Sequence, residues 1–557
     1  MEYFDLGTYA RPVTTTSENA QRWFNRGLIW MYGFNHEEAI RCFQNAVAAD
    51  PGCVMAHWGM AHAIGPNYNR VWGFFTPAEQ VAALTLAHAA IAAARTHPAA
   101  PVERALIAAL ADRFPTAPDV EDFTPWNDRF AAAMRGVHNS FPDDLDVTSI
   151  FAEALMNRTP WMLWDTGRGC PAIGSSTAEA QALLETTFAQ NPAAWDHPGL
   201  LHMYIHLMEM SPSPEKALRH GDRLVDLVPD AGHLVHMASH IDALCGDYQN
   251  VVRRNHAAAR VDAKYFAEAG GENFYTVYRI HNLHFEIYGA LFLAQITPAL
   301  AATEALAATL TDTVVRHLPE LFEAFVAMKP HVLIRFGRWS DIVALPFPSD
   351  ATLYSYTTAV LHYARAVAFA NLSRPLEAEV ERDAFLKAKT MVQDGRMVFN
   401  NPCAEVLKVA EQMMLGELAY KSGHKEVGLA HLRQAVVLDD GLLYDEPWGW
   451  MQPTRHALGA LLMDAGHYEE AEAVYRADLG LDATLPRASQ HPNNVWSLHG
   501  LDECLRRRGE SPERAHLHHI LAQAMARAEV PITASCFCRT QPNLTSASQP
   551  KPFRMPG

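Results

Sequence analysis

The residues Trp23, Gly27, Ala39, Phe43, Ala46 and Pro51 constrain this chain most. They fall within one stretch that reads as helix, short turn, helix. Gly27 and Ala39 sit where the two helices cross, and only small side chains let backbones approach that closely. Phe43 fills the gap to the neighbouring helix. Pro51 ends the second helix, because it lacks an N–H and clashes with the preceding turn. A unit of about 34 residues built this way leaves an apolar face uncovered and requires further copies beside it.

The same grammar returns. Ala217 and Pro229 keep the spacing of Ala39 and Pro51. Gly459, Ala471 and Tyr475 keep that of Gly27, Ala39 and Phe43, and Trp496 and Gly500 that of Trp23 and Gly27. These positions follow the tetratricopeptide pattern, which predicts an all-α, right-handed superhelical solenoid of helix-turn-helix repeats with an irregular helical insertion. An array of this kind accommodates 557 residues without one oversized core. The expected segments are repeats over 1–109, an irregular and cap-like stretch over 110–197, central histidine-rich repeats over 198–345, further repeats over 346–537, and a disordered tail over 538–557.

A formal net charge of −17 disfavours nucleic acid and anionic membrane surfaces. No apolar run is long enough to span a bilayer, and the N-terminus is not a secretory signal. The eight scattered cysteines read as reduced thiols, and the chain as cytoplasmic. No phosphate loop, dinucleotide fingerprint or serine elbow is present, so no nucleotide cofactor is expected.

The chemistry lies in the histidines. His202 and His206, then His233, His236 and His240, then His281 and His284 recur three or four residues apart on helical segments. That spacing puts imidazoles on one helical face. Repeat numbering places His202, His206 and Glu209 at the fifth, ninth and twelfth positions of one first helix. His233, His236 and His240 take the second, fifth and ninth of the next. These positions line the concave groove. Neighbouring first helices lie roughly 10 Å apart, close enough for imidazoles from both to share a metal. A lone histidine on a helix is ordinarily solvated or hydrogen-bonded, and His36, His138, His317 and His424 read that way. Glu209 reads either as a ligand or as an acceptor that orients a histidine. His197 and His233 carry the same two readings, and His456 is not expected to be a ligand.

Several strings are more specific than generic repeat residues. They include Tyr32–Ala39, Gly65-Pro66-Asn67-Tyr68-Asn69, Ala152–Asn157, His197-Pro198-Gly199, the three histidine motifs and His281-Asn282-Leu283-His284-Phe285. On these the chain resembles a group of bacterial and fungal tetratricopeptide-repeat proteins of about this length. It departs at Ala238, where the resemblance implies proline. The resemblance implies the fold, and some such proteins look like natural-product pathway enzymes.

A site of histidines without thiolate suits copper or iron, with zinc also accommodated. The reading is a metal-dependent oxidoreductase that activates dioxygen on a small aromatic metabolite. His202, His206, His236, His240, His281 and His284 are the expected ligands, with Glu209 or Tyr204 moving protons. Aromatic residues nearby, among them Trp161, Trp164, Tyr275, Tyr278 and Phe285, supply a wall for a flat substrate. The alternatives are a non-catalytic scaffold whose groove binds a peptide or protein partner, and a zinc hydrolase.

Overall fold

The computed structural model describes residues 4–116, 120–509 and 512–539. The chain divides into two compact units. One comprises Met1–Glu286 with Ala483–Pro492, the other Ile287–Asp482 with Asn493–Gly557. The boundary at Glu286 falls within the expected central segment 198–345.

Both units are all-α and built by repetition. In the first, Glu18–Tyr32 packs on His36–Ala49 and on Val54–Ile64. The first helix begins where the Ser17 side chain accepts the Ala20 N–H, and the second where Asn35 accepts that of Glu38. Each cap satisfies a donor the helix cannot satisfy itself. In the second unit, Ser355–Asn371 packs on Pro375–Lys389 and Cys403–Lys421. Likewise Thr454–Ala465 packs on Tyr468–Leu479 and Val495–Arg508. Each helix meets both the next helix and the next but one, which is the contact pattern of a solenoid.

The small residues work as their spacing implies. The Phe43 ring is clasped between two glycines, and a Cβ on either Gly27 or Gly59 would come within 2.6 Å of it. Tyr475 repeats the arrangement between Gly459, where a Cβ would lie 2.5 Å away, and Gly500. Gly27→Val is therefore expected to lower stability by about 1–3 kcal/mol through overpacking, read as a fall in the urea midpoint at unchanged slope. An unchanged midpoint shows that Phe43 can retreat.

The stretch 110–197 holds the helices Thr124–Ser140, Leu145–Met156 and Thr177–Gln190. It also holds a small antiparallel ribbon that pairs Trp164 with Pro171 and Asp165 with Cys170. Among the described residues no helix is long and apolar enough to cross a membrane. One expectation is corrected: Cys536 and Cys538 form a disulfide, while Cys42, Cys53, Cys170, Cys245, Cys403 and Cys504 are free thiols. Two residues apart in a turn, the pair has Cα atoms 5.2 Å apart, within disulfide reach. Most of the expected disordered tail, 540–557, lies outside the described residues.

Candidate metal centre

The site lies in the first unit. Pro198 opens the helix Pro198–Met208, and His197 caps it, its Nδ1 accepting the Leu200 N–H at 3.2 Å. Every residue of that helix is buried. His202 and His206, one turn apart, point the same way and their rings lie 4.7 Å apart. Tyr204, between them, falls on the opposite face. Its hydroxyl donates to Glu185 at 3.1 Å and its ring packs on Phe188 and His220.

The next histidine segment comprises Gly232–His236 and Ala238–Leu244, joined at Met237, whose backbone stays in the right-handed helical region. Its histidines divide between two groups. His233 joins His202 and His206 in one trio, and His236 and His240 join His281 in another. Within each trio the donor atoms lie within 4.8 Å of one another, and all six residues are buried. His284 is also buried but belongs to neither trio.

Neighbouring groups fix most of the tautomers. His202 Nδ1 donates to the Tyr32 carbonyl at 2.6 Å. His206 Nδ1 lies 3.1 Å from one oxygen of Glu209, and His240 Nδ1 lies 3.0 Å from the other. His236 Nδ1 donates to Asn255 Oδ1 at 2.6 Å, while the Asn255 amide is held by the Val251 carbonyl. Carbonyl and carboxylate oxygens only accept, so in His202, His206 and His236 the proton sits on Nδ1 and the lone pair on Nε2. Among the described residues Nε2 of His202 and of His206, and both ring nitrogens of His233, have no hydrogen-bond partner. In the second trio His240 Nε2 stands 2.7 Å from His236 Nε2 and 3.3 Å from His281 Nε2.

Burial, reinforced by the neighbouring imidazoles, holds His202, His206, His233, His236 and His281 well below the ordinary histidine range. These rings are neutral at pH 7. Neutral, buried and converging, with the far nitrogen tied to an acceptor, is the state in which imidazole ligates a metal.

Aromatic rings cover the centre. Phe34 lies against His202 at 4.5 Å, and against His206 and His233 at 5.8 and 5.7 Å. Tyr68 and Trp161 face His206, and Tyr278 faces His233 at 4.4 Å. Phe285 contacts all three rings of the second trio. Trp161, Tyr278 and Phe285 were foreseeable as neighbours. Phe34 and Tyr68 were visible only as parts of distinctive strings. Trp164 is structural, its indole N–H donating to the Leu207 carbonyl at 2.6 Å. His456, in the second unit, is engaged by Arg335 and Asp478.

Residues 20–53 match the model of the tetratricopeptide repeat. That stretch is a tetratricopeptide repeat. No curated protein matches it. Among solved structures it is similar to the APC/C hetero-tetramer Cut9–Hcn1, at 13% identity and a TM-score of 0.30, covering 88% of this chain and 78% of that one. It is also similar to the human IFIT1 dimer with m7Gppp-AAAA, at 11% identity and a TM-score of 0.29, covering 92% of each. Likenesses of this size add nothing to what the repeat itself shows. The histidine trios therefore stand on their own geometry.

Proposed function

We propose that this protein is a metal-dependent oxidoreductase that oxidises a small aromatic metabolite with dioxygen. The observation that carries the reading is the set of buried, neutral imidazoles whose Nε2 atoms converge while their Nδ1 atoms are tied to Tyr32, Glu209 and Asn255. Histidine donors without thiolate favour copper or iron, with zinc next. Copper or iron held there supplies one-electron redox chemistry toward dioxygen.

The chain's own residues do the rest. Tyr32, Glu209 and Asn255 hold ligand rings in the productive tautomer. Phe34, Tyr68, Trp161 and Tyr278 exclude water and present ring faces to a flat substrate. Glu209, hydrogen-bonded through His206 and set against His240, is placed to hold a proton released from substrate. Tyr204, turned toward Glu185, has no part in this scheme.

Protein purified without a histidine tag is expected to carry stoichiometric copper or iron, and His202→Ala and His240→Ala to lower its content. Reconstitution with copper or iron should restore oxygen consumption in the presence of a phenol, and zinc should not. A metal-free protein whose melting temperature no transition metal changes leaves the scaffold reading. Zinc with hydrolysis and no oxygen uptake leaves the hydrolase.

A further inference from the structure

Resting on the metal reading above, we infer that the six histidines hold two separate transition-metal ions, one per trio, and that Glu209 is the positioning residue common to both.

Bond lengths exclude a single shared ion. Metal–imidazole bonds are about 2.0–2.1 Å, so two ligands of one ion lie at most roughly 4.2 Å apart. The histidine sets that close to within 4.8 Å are His202–His206–His233 and His236–His240–His281, and among the described residues no set draws histidines from both.

Each trio is complete by itself. An ion bound by three imidazoles imposes nitrogen separations of roughly 3 Å, and the second trio shows 2.7 and 3.3 Å. With Nδ1 of His236 donating to Asn255, the His236 Nε2 lone pair faces His240 Nε2 across 2.7 Å, within the spacing of two ligands on one ion. The first trio offers the partnerless Nε2 atoms of His202 and His206 and a partnerless ring at His233. Three histidines per ion leave open positions at both.

Glu209 ties the halves together. It is fully buried, and it lies between His206 of one trio, whose Nδ1 is 3.1 and 3.2 Å from its two oxygens, and His240 of the other, whose Nδ1 is 3.0 Å from the second. One carboxylate thus orients a ligand of each ion.

The test counts ions on the full chain. Protein stripped with chelator is titrated with cobalt(II), and the visible absorption is expected to break at two equivalents. Copper(II) loading followed by elemental analysis is expected to give two ions in the wild type. His202→Ala and His281→Ala, each folded by circular dichroism, should keep one. The paramagnetic signal of an isolated copper(II) ion should be strong in either variant and reduced by coupling in the wild type. Glu209→Ala should weaken both loading steps by about 10–100-fold, with Glu209→Gln recovering part of the loss at one. A cobalt break at one equivalent, or loss of all metal from either folded histidine variant, overturns the pair and leaves a single site. No binding at all overturns the metal reading itself. The cobalt titration needs no variant, so misfolding of one does not rescue the inference.

Discussion

Asp146→Ala is expected to destabilise the first unit by about 3–5 kcal/mol, because it removes one of the two carboxylates that pair the buried Arg11 and strands the buried Tyr32 hydroxyl. Asp146 is the centre of a buried cluster. It accepts the Tyr9 hydroxyl at 2.9 Å, the Tyr32 hydroxyl at 2.6 Å and Arg11 at 2.7 Å, and His197 Nε2 stands 3.3 Å away. Burial alone would raise its pKa. His197, Arg11 and Tyr32 outweigh that and hold it below the ordinary carboxylate range. The cluster fastens the segment before the first helix to Leu145–Met156, with Arg11 also paired to Asp144. It also reaches the metal centre, because the Tyr32 carbonyl accepts His202 Nδ1. Asp146→Ala should therefore weaken metal loading of the first trio as well as lower the urea midpoint. Asp146→Asn keeps the shape and removes the charge, and should lie between. A loss below about 1 kcal/mol, the range of an ordinary substitution, would show that the existing Arg11–Asp144 pair suffices to hold the cluster.

What the sequence disclosed and what it hid follow from the range of the interactions. Crossing residues repeat at fixed spacing, so Gly27 with Phe43 and Gly459 with Tyr475 were legible as the same device. Helical periodicity alone brings His202 and His206 onto one face. It also puts Tyr204, two residues from each, on the other, and reading Tyr204 as catalytic ignored that rule. The division of the second histidine segment was hidden. His233, His236 and His240 share a face, but His233 and His240 lie about two turns apart along it and join different trios. The orienting groups were hidden for another reason. Tyr32 lies 170 residues before His202, and Asn255 lies on the separate helix Tyr248–Ala269. Such pairings exist only after the elements have packed. Phe34, held at φ 57° in the turn between the first two helices, is a further case. A non-glycine residue in the left-handed region is uncommon, and here it lays the ring across the first trio.

Acid should unfold the first unit before the second, and metal should delay it. Eight buried histidines of the first unit have lowered pKa values: His36 down to about 3, His220 down to about 4, and His62, His202, His206, His233, His236 and His281 well below 6.5. Burial is the leading cause in each. The unfolded chain takes up protons at these residues near pH 6.5, and the folded chain does not. Their contribution is therefore intact above that value and is lost as pH falls through it toward the folded values, at about 1.4 kcal/mol per group per pH unit. Asp242, raised by burial to about 7, and Asp262, raised to about 6, act in the opposite sense because the fold binds their protons more tightly. The net loss over one pH unit is on the order of 5–10 kcal/mol, comparable with the whole stability of a domain. The second unit has the reverse balance. Burial lowers His331 to about 4 but raises Glu417 to about 7, Asp439 to about 6 and Glu446 to about 8. Hydrogen exchange measured by peptide between pH 7 and 5 should therefore show 198–286 losing protection while 403–479 keeps it. A metal that binds only neutral imidazoles competes with the proton, so saturating copper or zinc should move the first transition to lower pH. If the transition stays in place while metal is bound in stoichiometric amount, the ion sits elsewhere and the trios are only a buried histidine core.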